Sequence, residues 1–101
     1  MEADDEIAQF RMEALHMVRK LLSGYVEPSR ICHGDAKTYF PILFDGLHQR
    51  PICRLYFQRK TYLGTISVRK VETKVPIHSV NDIAKFSGEM KAVVAKYIEI
   101  A

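Results

Sequence analysis

Apolar residues recur at spacings of three and four near both ends of the chain. The N-terminal set lies between Asp4 and Leu22 and consists of Ile7, Phe10, Ala14, Leu15, Val18, Leu21 and Leu22. This period predicts an amphipathic helix. We expect Asp4 or Asp5 to accept hydrogen bonds from the free N–H groups of its first turn. We expect Gly24 to take the left-handed conformation that closes it.

A second amphipathic helix is predicted near the C-terminus. Ser79 is followed three residues later by Asp82, which is an N-terminal helix signal of the capping-box kind. The apolar stripe that follows consists of Ile83, Phe86, Met90, Val93, Val94 and Tyr97. We expect this helix to run to about Ile98.

Four segments between the helices are predicted to be strands, and a fifth short extended segment follows them. They are Arg30–Asp35, which is the weakest, Thr38–Phe44, which is rich in aromatic and β-branched residues, Pro51–Phe57, Tyr62–Val68 and the short Glu72–Ile77. Short connections between sequential strands favour an antiparallel meander. The sequence therefore predicts one α+β domain over residues 1–101, a meander of four to five strands with both helices packed on one face.

Three positions within these segments carry further expectations. Pro41 removes one ladder donor, so we expect it at a sheet edge or a bulge. Asp45-Gly46 predicts a turn after the second strand. Gly64 is expected to leave space for a neighbouring side chain or backbone.

Alternate residues of the third strand are expected to point to opposite faces of the sheet. One set is purely apolar and is expected to face the helices: Cys53, Leu55 and Phe57. The other set is expected to face outward or toward a partner: Ile52, Arg54 and Tyr56.

Composition narrows the class of protein without naming a function. The 101 residues are 48% hydrophobic and 27% charged, which is typical of a single globular domain. No segment approaches the roughly 20 apolar residues of a membrane span, and the N-terminus does not have the pattern of a signal peptide. Cys32 and Cys53 are interpreted as reduced thiols of the core. We therefore expect a cytoplasmic protein with no membrane partner.

Positive charge is concentrated in the middle of the chain. Seven basic residues lie in this region against one acid, Glu72: Arg50, Arg54, Arg59, Lys60, Arg69, Lys70 and Lys74. Tyr56 and Tyr62 interleave with them, and such a surface suits phosphate contact and base stacking. The seven basic residues and Tyr56 are therefore candidate nucleic-acid contacts, although Lys and Arg are also ordinary on the exposed face of a sheet.

The sequence predicts no complete catalytic site, no metal site and no cofactor. The four histidines have no ligand-like spacing, and no glycine-rich phosphate loop precedes a helix. Glu72 and Lys74 on alternate residues, with Asp35 or Asp45 earlier, would suit a metal-dependent nuclease. A charged edge strand that discourages aggregation is the favoured interpretation of the same residues.

Several blocks of the sequence resemble a known pattern: Arg30-Ile31, Gly34–Phe40, Pro51–Phe57, Tyr62–Gly64 and Val80–Ile83. The pattern resembles the C-terminal domain of bacterial proteins whose N-terminal half is similar to the nuclease region of type I restriction enzyme R subunits. The resemblance runs from about Ile7 to Tyr97. It implies that the nuclease motif lies upstream and that this chain is a non-catalytic accessory domain. The chain departs from the pattern at Gly34, where a basic residue is expected.

Two functions follow as hypotheses for such a domain. The first is an accessory domain of a restriction-type endonuclease that binds or positions DNA through its basic hairpin face. The alternative is a protein-interaction module whose outer sheet face, around Ile52, Tyr56 and Ile66, pairs with a second copy or with the upstream nuclease domain. A minimal nuclease using Glu72 and Lys74 is the third and weakest hypothesis.

Overall fold

The computed structural model describes residues 2–100, and these form a five-stranded antiparallel sheet with a helix at each end. Strand order follows chain order, from β1 at one edge to β5 at the other. The predicted α+β meander is therefore confirmed. The elements are α1 (Glu2–Leu21), β1 (Ile31–His33), β2 (Phe40–Phe44), β3 (Pro51–Phe57), β4 (Thr61–Ile66), β5 (Glu72–Ile77) and α2 (Ser87–Ile100), with 3₁₀ helices at Pro28–Arg30 and Val80–Phe86.

The first helix begins earlier than the hydrophobic period indicated. It starts at Glu2, so Asp4 and Asp5 are helical residues of its first turns. The hydrogen bonds expected of their side chains lie outside the part of the structure that is described. Gly24 adopts a φ of 89° just beyond the helix end at Leu21, as predicted. The N–H groups of Tyr25 and Val26 bond to the carbonyl of Leu22, so the chain turns toward the sheet there.

The second predicted helix is divided into a 3₁₀ helix, Val80–Phe86, and the α-helix α2. Its N-terminal signal is confirmed, because the Asp82 carboxylate accepts hydrogen bonds from the backbone N–H groups of His78 at 2.8 Å and Ser79 at 3.2 Å. These backbone hydrogen bonds lower the pKa of Asp82 below its ordinary value of 3.8.

Asp82→Ala is expected to reduce stability at neutral pH and to lose that effect in acid. A lowered folded-state pKa stabilises the protein above the unfolded-state pKa, and this stabilisation is lost as pH falls through the folded-state value. Thermal unfolding of both proteins between pH 7 and pH 2 measures the difference. The two melting temperatures should converge below about pH 4. A constant difference down to pH 2 would show that the carboxylate charge does not stabilise this turn.

The core lies between the sheet and the two helices. The strands contribute Ile42, Leu55 and Leu63, which are fully buried. The helices contribute Ala14, Leu15, Val18 and Leu22 from α1 and Met90, Val93, Val94 and Tyr97 from α2. One face of the sheet is thus sealed by apolar contacts, and any binding surface of the sheet must lie on its other face or at its ends.

A β-bulge changes the predicted alternation of the third strand. Ile42 lies opposite Cys53 and Leu43 lies opposite Pro51, so Ile52 is an extra residue in β3. Bulges interrupt strict alternation, and Ile52 belongs to the same buried cluster as Cys53. The prediction that Ile52 shares the outer face with Arg54 is therefore wrong.

The position of Pro41 explains how a proline fits into a strand with neighbours on both sides. Its carbonyl accepts a hydrogen bond from the Gly34 N–H, at 3.1 Å, which lies just beyond the end of β1 at His33. The N–H and the carbonyl of one strand residue point to the same side. The N–H that proline lacks would therefore also face this position, which lies beyond the last paired residue of β1. Pro41 is thus at a local edge, as predicted.

The turn after β2 also forms as predicted. Asp45 and Gly46 have φ values of 58° and 71°, and the Leu47 N–H bonds to the Phe44 carbonyl. Within residues 2–100, none of the helices is both long and apolar enough to cross a membrane.

Candidate functional site

Five side chains gather on the sheet face that points away from the helices. We call them the outer-face cluster: Tyr39, Arg54, Tyr56, Glu72 and Lys74. Strand register explains how distant positions meet, because Arg54 lies opposite Gly64, which lies opposite Lys74 on its other side. Cross-strand neighbours of this kind lie within side-chain contact of one another.

Glu72 is the acceptor at the centre of the cluster. The Tyr56 hydroxyl donates to its Oε2 at 2.5 Å, and Arg54 Nη1 donates to its Oε1 at 3.2 Å. Burial, and next the hydrogen bond to Glu72, raise the pKa of Tyr56 to about 12. Tyr56 is therefore a neutral hydrogen-bond donor at physiological pH.

A cation lies over each of the two tyrosine rings. Lys74 Nζ is 3.9 Å from the centre of the Tyr56 ring, and the Arg54 guanidinium is 5.2 Å from that of Tyr39. The two rings pack with centroids 5.6 Å apart. Cation–π contacts of this length stabilise the arrangement. Tyr56 is only 8% exposed, so its ring packs within the protein and presents little surface on which a base could stack.

Gly64 leaves the space that this cluster occupies, as the sequence led us to expect. A Cβ at this position would overlap the Glu72 carboxylate and lie 3.2 Å from Tyr56 Cε2. The hydrogen bond between Tyr56 and Glu72 thus passes over a strand position where only glycine fits without rearrangement.

The seven candidate basic residues do not converge on one point. Arg59 and Lys60 lie in the turn between β3 and β4, whereas Arg69 and Lys70 lie in the turn between β4 and β5. The six residues of β4 separate these turns by about 20 Å. Arg50 lies just before β3, at the same end as Arg69 and Lys70, while Arg54 and Lys74 lie between the two ends.

Lys70 occupies an unusual backbone conformation at one of these turns. Its φ is 63°, a left-handed value that favours glycine. Its Nζ donates to the Gln49 carbonyl at 2.7 Å. This contact joins the β4–β5 turn to the loop before β3 and keeps the positive charges of that end together.

Among the described side chains, only one of the seven basic residues forms an ion pair with an acid. Arg54 forms an ion pair with Glu72, the single acid in this stretch. Among the described side chains, the other six basic residues form no ion pair. Within the described part of the chain, the middle segment therefore presents six basic side chains that form no ion pair, although Arg50 lies near enough to Asp45 to lower the pKa of that carboxyl.

The acids of the nuclease hypothesis are not brought together. Asp45 accepts two hydrogen bonds of 2.8 Å from Arg30, which lower the pKa of its carboxyl. It follows β2, three strand spacings or about 14 Å from β5, and Asp35 follows β1, still farther from Glu72. Across the described side chains, no three His, Cys, Asp or Glu groups are placed to share a metal ion.

The apolar surface predicted for protein pairing is also absent from the outer face. Ile52 and Ile66 are 0% and 2% exposed and belong to the core cluster. The outer face instead offers the polar and charged groups of the outer-face cluster. The two isoleucines that the sequence suggested for pairing with a second copy or with an upstream nuclease domain are therefore buried and cannot form that contact.

Sequence reasoning did not include Tyr39 in the site. Phe40 lies opposite Leu55, and extending this register by one residue places Tyr39 opposite Tyr56. That register depends on the strand pairing. From the sequence, Asp35–Lys37 followed by Tyr39 could form either a turn, which is favoured, or a small polar site, and neither interpretation places Tyr39 against Tyr56. Tyr39 could therefore be assigned to the outer-face cluster only once the pairing of β2 with β3 was known.

Comparisons with known proteins give no relative for this chain. No protein-family model matches it, and no significant match is found among curated proteins or solved structures.

Proposed function

We propose that this chain is a non-catalytic accessory domain of a restriction-type protein and that it binds or positions DNA along β3, β4 and β5. The observation that supports the binding role is the set of six basic residues that form no ion pair among the described side chains. Glu72, the one acid among them, is held by Arg54 and Tyr56. The restriction-type assignment rests on the resemblance of the sequence blocks, above all Pro51–Phe57 and Asp35–Phe40.

The spacing of the charges suits a duplex laid along the strands. Exposed basic residues lie at both ends of β4, about 20 Å apart, and Lys74 is exposed between them. One DNA strand advances 3.4 Å per nucleotide along the helix axis, so this distance corresponds to about six base pairs. The two ends would thus contact phosphates on either side of a short DNA segment.

These contacts would be independent of DNA sequence. Lys and Arg at turn tips contact phosphates, which orient a protein on DNA without reading bases. Arg54, the basic residue nearest the centre of the sheet, is already bound to Glu72. We therefore assign the domain a positioning role and leave sequence recognition to other parts of the proposed parent protein.

Arg59→Ala combined with Lys60→Ala is expected to weaken duplex binding about tenfold or more and to lower the salt dependence. Each lost phosphate contact should reduce the slope of log K against log salt by about 1. Fluorescence anisotropy with a labelled duplex, repeated between 50 and 200 mM salt as an approximate range, measures both quantities.

The matched control is Lys20→Ala combined with Lys96→Ala. This pair removes the same charge from exposed positions on the helices. It should leave the affinity within about twofold of the unmodified chain, because exposed charges beyond the Debye length are largely screened. Equal weakening by both pairs would show that only net charge matters, and no weakening by the first pair would reject the proposed surface.

A further inference from the structure

A cavity of about 470 Å³ lies where α1, the end of β1 and the following loop meet. We call it the loop pocket. Its lining includes the side chains of Arg11, His33, Asp35, Lys37, Tyr39 and Phe40. Its volume falls within the range of small-molecule sites, about 300 to 1,000 Å³.

The charged side chains described in the loop pocket do not pair with one another. Among the described side chains, Arg11, Asp35 and Lys37 have neither an ion pair nor a side-chain hydrogen bond. Asp45 and Glu72, in contrast, each bind an arginine. Two cations and one carboxylate thus line the same cavity with their hydrogen-bonding atoms available.

Aromatic surfaces lie beside these charges. The His33 and Phe40 rings stack with centroids 5.3 Å apart and an interplanar angle of 25°. The Arg11 guanidinium is 5.5 Å from the Phe40 centroid and 5.4 Å from that of Phe57. These contacts orient the guanidinium, and Tyr39 adds a further ring to the lining.

We propose that the loop pocket binds one nucleotide, with a preference for guanine. The phosphate would contact Lys37 and Arg11, because both are cations with free donors. The base would stack on the His33 ring, because His33 is the exposed aromatic side chain among those named in the lining, as bases do on protein rings. Guanine carries two adjacent N–H donors, which match the two oxygens of Asp35. Thymine carries one N–H between two carbonyl oxygens, which a carboxylate repels.

The nucleotide has two possible sources, which share this chemistry. It is either a free mononucleotide or a nucleotide unstacked from a nucleic-acid strand. Tyr39 lines the loop pocket and also packs on Tyr56 of the outer-face cluster, so a strand on the sheet would pass beside the pocket. The strand-borne source rests on the proposed DNA-binding function, whereas binding of a free nucleotide does not.

Titration of the full chain with dGMP, dTMP and inorganic phosphate, followed by two-dimensional NMR, tests the proposal. We expect dGMP to bind about tenfold more tightly than dTMP, since a matched pair of hydrogen bonds discriminates by about this factor. Lys37→Ala should weaken both nucleotides, and Asp35→Ala should remove the preference for dGMP. Both residues are exposed loop positions, so these variants should fold. Lys96→Ala on α2 is the charge-matched control and should bind as the unmodified chain does.

Each alternative outcome decides against the proposal. Equal affinities for dGMP and dTMP, or for dGMP and inorganic phosphate, would show that no base is recognised. Shifted signals confined to residues outside the loop pocket would place the ligand elsewhere. Failure of dGMP to bind, while duplex binding persists and depends on Arg59 and Lys60, would overturn the pocket and leave the proposed function standing.

A guanine-containing single strand separates the two sources. If the strand competes with dGMP and its binding falls in Asp35→Ala, the pocket accepts a strand-borne nucleotide. If dGMP binds as expected but the strand does not compete, the ligand is a free nucleotide, and the proposal that the pocket accepts a nucleotide from a DNA strand is rejected.

Discussion

Tyr97→Ala is expected to lower the free energy of unfolding by about 3 to 5 kcal/mol, the usual range for removing a buried aromatic ring. Tyr97 is 1% exposed, packs with its ring centroid 5.8 Å from that of Phe44, and donates from its hydroxyl to the Pro51 carbonyl at 2.7 Å. It therefore fastens α2 to the start of β3, beside the bulge at Ile52. Because small domains are stabilised by only about 5 to 15 kcal/mol, much of the stability should be lost.

Two further substitutions divide this effect into its parts. Tyr97→Phe keeps the ring and leaves the Pro51 carbonyl without its donor, so about 1 to 2 kcal/mol should be lost. Ile98→Ala, at the neighbouring position of the same helix, changes a side chain that is 43% exposed and should alter stability by about 0.5 kcal/mol or less. Urea denaturation followed by circular dichroism measures all three. A similar loss for Ile98→Ala would mean that Tyr97 has no special structural role.

Gly64→Ala is expected to destabilise the domain by about 1 to 3 kcal/mol, although alanine is intrinsically better than glycine in a strand. The added methyl group would displace the Glu72 carboxylate. The Tyr56 hydroxyl and the Arg54 guanidinium would then lose their shared acceptor. The loss should exceed the gain from strand propensity, because both donors are at least partly buried.

A double-mutant cycle isolates this mechanism. In a Glu72→Ala background the obstructing carboxylate is gone, so Gly64→Ala should be nearly neutral. Gly88→Ala is the matched control, since nothing lies within 4 Å of a Cβ there, and in a helix it should stabilise by up to about 1 kcal/mol. The same destabilisation by Gly64→Ala in both Glu72 backgrounds would locate the conflict elsewhere in the sheet.

The outer-face cluster connects these effects to the proposed surface. Glu72 accepts from Arg54 and Tyr56, and Lys74 lies over the Tyr56 ring. A variant that releases Glu72 would expose a carboxylate among the basic residues, and this negative charge would oppose phosphate contact. Folding of the cluster and the positive potential of the face therefore depend on the same hydrogen bonds.

Much of the fold could be predicted from local sequence. The two apolar periods placed both helices, and the segments assigned to β3 and β5 coincide with the strands. Gly24, Asp45-Gly46 and the Ser79–Asp82 signal also behave as predicted. These features depend on residues a few positions apart, because helix periodicity, strand alternation and turn chemistry are local properties of the chain.

The candidate site depended on tertiary structure, for a physical reason that the bulge illustrates. A single extra residue, Ile52, ends the alternation of β3 and moves an apolar side chain from the outer face into the core. Which side chains meet on a sheet is determined by register across strands, and register is not encoded in any one segment. By itself the sequence determined the helix-flanked meander and its excess of positive charge. Only the tertiary structure paired Glu72 with Arg54 and Tyr56 and placed most of the remaining basic residues at the two ends of the sheet. It also placed Asp35 and Lys37, which form no ion pair among the described side chains, beside aromatic rings.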